Sequence, residues 1–252
     1  NKETKTVPVS VVLISHNAER HLPRCLGSIK AVASEIIVVH NDCTDDTEKI
    51  AKEFGAKTVE QDWLGFRDQK NVALDLATEP WILSLDSDEE VSPELLQSIV
   101  AFIQADDPVY NGAFFPRKVW FLGRWITHGD WYPDHSLRLL RQGKGRWTGG
   151  IIHEKLEVDG AVKKLKGDLH HFPIPNIQGQ VTKLVYYSDL YLEQQLEKGK
   201  NGPRRERFSE AYGVFFGDTF YGLVFWMASP VFTLPGTIRF PHYSNTAGCT
   251  ST

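Results

Sequence analysis

The sharpest chemical signal in the 252-residue chain is Asp86-Ser87-Asp88. Two carboxylates at i and i+2, directly after the apolar run Trp81 to Leu85, can both face a loop at a strand end. Hard oxygen ligands of this kind hold Mg2+ or Mn2+ with several waters and leave coordination positions for diphosphate oxygens. A solvated acidic turn has a similar composition, since Glu89 and Glu90 extend the run. The place of the pair after a buried strand and before a capped helix favours the cation site. Ser15-His16-Asn17 and His40-Asn41-Asp42 also follow apolar runs and form two further polar clusters. Spacing excludes other chemistries. His153-Glu154-Lys155-Leu156-Glu157 begins like a zinc-protease helix motif, but Glu157 stands where the second His is required. Cys25, Cys43 and Cys249 fall in no metal-ligand spacing and are too few for a disulfide scaffold, which suits a reducing compartment. Lys and Arg number 28 against 32 Asp and Glu, and a net charge of −4 argues against a nucleic-acid partner.

The elements that must position these residues alternate in period. Val7 to Ser15 reads as a buried strand, and Leu22, Leu26 and Ile29 then fall on one helix face. Glu35 to His40 is a second strand. Asp45 and Glu48 open a helix through Ile50, Ala51 and Phe54 that Gly55 stops. Lys57 to Glu60 is a third strand, Phe66, Gln69, Ala73 and Leu76 mark a helix, and Trp81 to Leu85 is a fourth strand. Ser92-Pro93 is an N-cap with Pro at the first helical position, ahead of the stripe Leu95, Leu96, Ile99 and Ile103. Such alternation predicts an α/β fold, a mostly parallel sheet with helices on both faces. Right-handed crossovers then bring the three polar clusters to the carboxyl edge, where open α/β sheets bind ligands, so a nucleotide site is expected there. From Gly112 to Phe172 the pattern turns β-like and Trp-rich, and Gln180 to Lys200 reads as an amphipathic helix.

Three stretches, VSVVLISHNAERHLPRCLGSI, EIIVVHNDCTDDTEKIAKEFGA and GFRDQKNVALDLATEPWILSLDSDEEVSPEL, resemble family 2 inverting glycosyltransferases of the GT-A fold. FLGRWITHGDWYPDHSLRLLRQGKGRWTGGIIHEKLEVDG followed by LKGDLHHF is similar to bacterial lipopolysaccharide-core glucosyltransferases, which add β-1,4-glucose to an inner-core heptose. The resemblance covers roughly residues 7 to 200. It implies that Asp88 binds the metal directly, Mg2+ or Mn2+, and that Asp86 lies near ribose and metal. It places the loop Asn41 to Asp45 at the nucleoside. His40 stands where the family pattern begins with Asp, so His40, Asp42 and Asp45 all remain candidates for the base. Ser15, Asn17 and Lys70 join the expected nucleotide site, Lys70 at a position where the family has a basic residue. One of Arg138, Arg141 and Arg146 is expected to neutralise the departing diphosphate, with Arg138 taken as the candidate. His153 or His171 would complete the metal site, His153 being preferred.

Inversion by direct displacement needs one general base at the acceptor hydroxyl. The family position for that carboxylate falls on Asp134, where this chain reads Pro133-Asp134 in place of Glu-Asp; Asp130 and Glu154 are its rivals. Trp120, Trp125, Trp131, Tyr132 and Trp147 could stack on sugars or fill the core, with Trp131 the one expected to be exposed. The implied organisation is a GT-A domain over residues 1–205, with a nucleotide-sugar half to about 110 and an acceptor half from 111, then an aromatic, helical tail over 206–252. Five Lys or Arg between Lys198 and Arg207 precede that tail, and residues 219–238 carry no charge. An interfacial segment meeting anionic lipid fits this pattern, as does a buried helix pair. The polar start, Asn1 to Thr6, shows no signal peptide. The expected partners are a UDP-sugar donor, UDP-glucose first, and a lipopolysaccharide core or other lipid-linked acceptor, on the cytoplasmic face of the bacterial inner membrane. A module that binds nucleotide sugar without catalysis is the alternative.

Overall fold

The computed structural model describes residues 6–150 and 154–173, with helical positions 178, 179, 181, 182, 185 and 189 beyond them. The expected tail and most of the Gln180 to Lys200 helix lie outside the described residues.

β1 (Val7–Ser15), β2 (Ala33–His40), β3 (Lys57–Glu60) and β4 (Trp81–Asp86) form a parallel block in the order β3-β2-β1-β4. Between them run α1 (Leu22–Ile29), α2 (Thr47–Glu53) and α3 (Phe66–Asp75). Alternation along β1 explains the layering. Val7, Val9, Val11 and Leu13 point to one face and meet Leu22, Cys25, Leu26 and Ile29 of α1. Val12 and Ile14 point to the other and meet Ala73 and Leu74 of α3. Both faces of the central strands are dry, so β1 and β4 read as nearly continuous apolar runs, whereas the outer strand β3 has no buried residue; each fully buried Val, Leu or Ile contributes about 1.5–3 kcal/mol.

After β4 the chain turns through Ser87 and Asp88 into a short strand, β5 (Glu89–Val91), and then α4 (Pro93–Ala105). Ser92 caps α4, its Oγ accepting from the Leu95 N–H at 3.3 Å, and Asp106 ends it in the left-handed region at φ 44°. The second half is strand-rich: β6 (Tyr110–Phe121), β7 (Arg124–Trp125), a 3₁₀ turn (Gly129–Trp131), β8 (Asp134–Arg141), β9 (Gly145–Gly149), β10 (Glu154–Val158), β11 (Ala161–Lys164) and β12 (Leu169–His171). β8 pairs antiparallel with β4, then β6, β12 and β5 extend the sheet, while β9 and β10 form a separate hairpin. The sheet is parallel in its first half and mixed in its second.

Antiparallel pairing of β8 with β4 has a functional consequence. Ile82 faces Leu140 and Leu83 faces Leu139, so the amino end of β8 lies at the carboxyl end of β4. Asp134 and Asp86 therefore share one sheet edge. The β12–β5 ladder pairs His171 with Glu89, which brings β12 to the turn that carries Asp88.

Candidate active site

Two loops at the carboxyl edge are clasped to each other by their own polar side chains. Asn17 and Asp42 each begin a loop in the left-handed region, at φ 47° and 42°, where Asn and Asp are the side chains best tolerated. Asn17 Oδ1 accepts from the Thr44 N–H at 2.8 Å, and His16 Nδ1 lies 2.8 Å from the Asn41 carbonyl. Asp45 accepts from the Glu19 and Thr47 N–H groups, each at 3.0 Å. Burial raises the Asp45 carboxyl, but the Thr47 hydroxyl together with those N–H groups outweighs it and holds the group below its usual range. Asn17 and Asp45 thus spend oxygens on shaping the loop pair, whereas Asp42 is exposed at its crest. Ser15 and His40 end their strands side by side and are both buried. Ser15 Oγ and His40 Nδ1 have no hydrogen-bond partner among the described residues, and His40 Nε2 is 3.8 Å from Glu48.

Asp86 sits between two cations. Lys70 Nζ on α3 is 3.0 Å from Oδ1, and Arg138 Nη2 on β8 donates to Oδ2 at 2.8 Å. Burial alone raises the Asp86 carboxyl, but the charges of Lys70 and Arg138 outweigh it and hold the group well below the usual carboxylate range. Lys70 is buried, not an exposed helix lysine; its ammonium also reaches Glu154 at 3.2 Å and lies 4.3 Å above the Trp147 ring. Arg138 Nη2 donates in addition to Glu89 Oε1 at 2.8 Å. Glu89 is 1% exposed, and its other oxygen accepts from the Asp86 N–H at 2.9 Å, closing the acidic turn. Asp88 Oδ1 lies 3.5 Å from His171 Nε2, and the Asp88 carbonyl accepts from the Phe172 N–H. His153 lies outside the described residues. Among those described, no three His, Cys, Asp or Glu side chains form a closed metal cage.

Asp134 stands opposite Arg117 in the β6–β8 ladder. Arg117 Nε and Nη2 both reach Asp134 Oδ2, at 2.8 and 2.7 Å, which leaves Oδ1 outside the fork. Of its rivals, Glu154 is bound to Lys70, and only the backbone of Asp130 is described, in the 3₁₀ turn. The three arginines separate cleanly. Arg138 alone reaches Asp86; Arg141 binds Asp106 and the Tyr110 and Asp107 carbonyls, and Arg146 pairs with Asp75 on the surface. The aromatics divide as well. Trp147 is 4% exposed and belongs to the core, and Trp131, expected to be exposed, is half-buried against Phe121 at 5.6 Å. Trp125 packs over His170 at 4.3 Å and edge-on to Phe172.

The family model for glycosyl transferase family 2 matches residues 10–156, the span that contains this edge. The chain belongs to that family. This family 2 glycosyltransferase is 30% identical over 224 residues to the lipopolysaccharide core biosynthesis glycosyltransferase LpsC of Rhizobium meliloti, covering 86% of this chain and 80% of that one. It is 40% identical over 225 residues to an uncharacterized glycosyltransferase of Rickettsia bellii, covering 85% and 76%. Among solved structures it resembles S. aureus TarS 1–349 in complex with UDP-GlcNAc, with a TM-score of 0.51 and 14% identity over 89% of this chain and 77% of that one. The fold is GT-A.

Two residues of this family 2 site escape sequence reasoning. Glu89 reads as one more charge in an acidic run, and Arg117 as a lone arginine in a strand. Nothing in local sequence signals that one is sealed from water or that the other faces Asp134 across a ladder.

Proposed function

We propose that the enzyme transfers glucose from UDP-glucose, with inversion, to a heptose hydroxyl of a lipopolysaccharide core precursor. The convergence of Asp86 and Asp88 with Asp134 on one sheet edge carries this reading. Likeness to LpsC supports the acceptor class. Asp42 and His40 line the base end of the donor site, and Lys70 and Arg138 meet its diphosphate. Asp134 Oδ1, the oxygen outside the Arg117 fork, takes the proton of the acceptor hydroxyl as it attacks the anomeric carbon.

A divalent cation suits the residues present. Asp88 Oδ1 and His171 Nε2 stand 3.5 Å apart, a separation that two ligands of one ion can span. Asp88 and His171 would hold Mg2+ or Mn2+, which as a Lewis acid supplies charge neutralisation at the leaving diphosphate. We further propose that the tail beyond 205 meets the inner face of the inner membrane through its basic and aromatic segments. Among the described residues no helix is long and apolar enough to cross a membrane.

A thermal-shift panel of UDP, GDP, CDP and dTDP, each with and without Mn2+, tests the donor site, because only a ligand of the folded state raises the melting temperature. Metal-dependent stabilisation by UDP is expected. A response to GDP or dTDP instead would move the donor, and no response from folded protein would remove the reading. Transfer from UDP-glucose to a methyl heptoside then tests the acceptor.

A further inference from the structure

Resting on the reading of Asp134 as the base, we propose that Glu89 is a positioning residue that holds Arg117, and through it Asp134, in register with the donor carboxylate Asp86. Five charges alternate in sign across the edge: Asp86, Arg138, Glu89, Arg117, Asp134. Glu89 is the middle member and is sealed from water. Its Oε1 accepts from Arg138 Nη2 at 2.8 Å and forms an ion pair with Arg117 Nη1 at 3.6 Å. The opposite end of Arg117 grips Asp134 Oδ2. Backbone geometry fits this arrangement. Arg117 stands opposite Asp134 across the ladder, and the register of that ladder shifts at Arg138, between Leu137 and Leu139.

Closing the turn by accepting the Asp86 N–H needs only a neutral oxygen, which an amide would supply. A buried carboxylate is costly unless it is paired, and here its charge faces two guanidinium groups. Without that charge Arg117 answers to Asp134 alone. The fork then loses its anchor on the side of the donor, and the base drifts relative to the anomeric carbon. Misplacement of a reacting group by about 1 Å costs on the order of 100-fold in rate.

The test uses the full chain and reads arginine side-chain ¹⁵N spectra, which distinguish a held guanidinium from a freely rotating one. In Asp134→Asn, Glu89 remains to hold Arg117, so its signals are expected to stay those of a held group. Release of Arg117 in that variant would overturn the proposal. In Glu89→Gln, the Nη1 end of Arg117 is expected to be released while Asp134 still grips Nε and Nη2, and an unchanged spectrum would overturn the proposal. Should Glu89→Gln fail to fold, the Asp134→Asn spectrum decides. A double-mutant cycle supplies a readout that mere destabilisation would not move. Glu89→Gln alone should lower glucose transfer to methyl heptoside by about 100-fold, but should lower it little further when added to Asp134→Asn, because a displaced base matters only where the base is present. Additive losses would overturn the positioning role. If the wild-type enzyme makes no transfer product, the proposed substrates are wrong, and the spectra still decide the role of Glu89.

Discussion

In the proposed reaction Asp88 and Asp134 divide two demands of glycosyl transfer between them, one at the leaving diphosphate and one at the incoming hydroxyl. Their substitutions should separate accordingly. Asp88→Ala is expected to abolish the Mn2+-dependent thermal shift with UDP. Asp134→Asn should keep that shift and lose transfer by about 10²–10⁴-fold, the range for removing a general base. Near-wild-type transfer by Asp134→Asn would sink the base assignment. Arg138 makes a different prediction, because its partners are desolvated. Arg138→Met leaves Glu89 buried without its closest cation, and breaking a buried pair from one side costs about 3–5 kcal/mol, to be read from urea unfolding. Arg146→Met removes only an exposed pair with Asp75 and should leave the midpoint nearly unchanged. The sequence offered Arg138, Arg141 and Arg146 for the diphosphate, with Arg138 as the candidate. The antiparallel register of β8 sends Arg138 to Asp86 and Arg141 to the far edge.

The most legible strand in the chain is β1, whose apolar run is set by burial on both faces, and it spans the residues that this run marks. Ser92-Pro93 opens α4 as its cap chemistry requires. β5 and β12 were not separable from their polar surroundings. Each is three residues long, and each is a strand only because of what lies beside it: β12 for β5, and β6 and β5 for β12. Gly167 governs how β12 arrives. It has φ 92°, and an added Cβ would lie 2.3 Å from the Leu95 backbone nitrogen at the start of α4. Gly167→Ala should therefore destabilise the fold by about 1–3 kcal/mol through overpacking. Because β12 carries His171, the same change should raise the Mn2+ concentration needed for the UDP-dependent thermal shift. A full loss of stability with unaltered Mn2+ dependence would separate β12 from the metal site.

At the scale of the molecule, the edge network links stability to pH. Asp86 has its carboxyl held below the value of about 3.9 expected in the unfolded chain. Its contribution is thus complete above that value and is lost as pH falls through the lower folded value, since the unfolded state then binds the proton more readily. Urea midpoints should hold steady from pH 6 to 5 and drop below about pH 4, with a shallower drop in Arg138→Met. A midpoint insensitive to pH between 5 and 3 would contradict the network. By itself, the amino-acid sequence determined the α/β alternation, the carboxyl-edge clustering of Ser15, Asn17, Asp42 and Asp86, and the resemblance that placed Asp134, because period and strand-end composition are local properties. Tertiary structure alone decided that Lys70 and Arg138 embrace Asp86, that His171 stands at Asp88, and that a sealed Glu89 lies between Arg138 and Arg117. Those facts depend on which strands pair and in what register, and on where water is excluded. Pairing, register and burial belong to the folded chain as a whole and leave no mark on any single stretch of it.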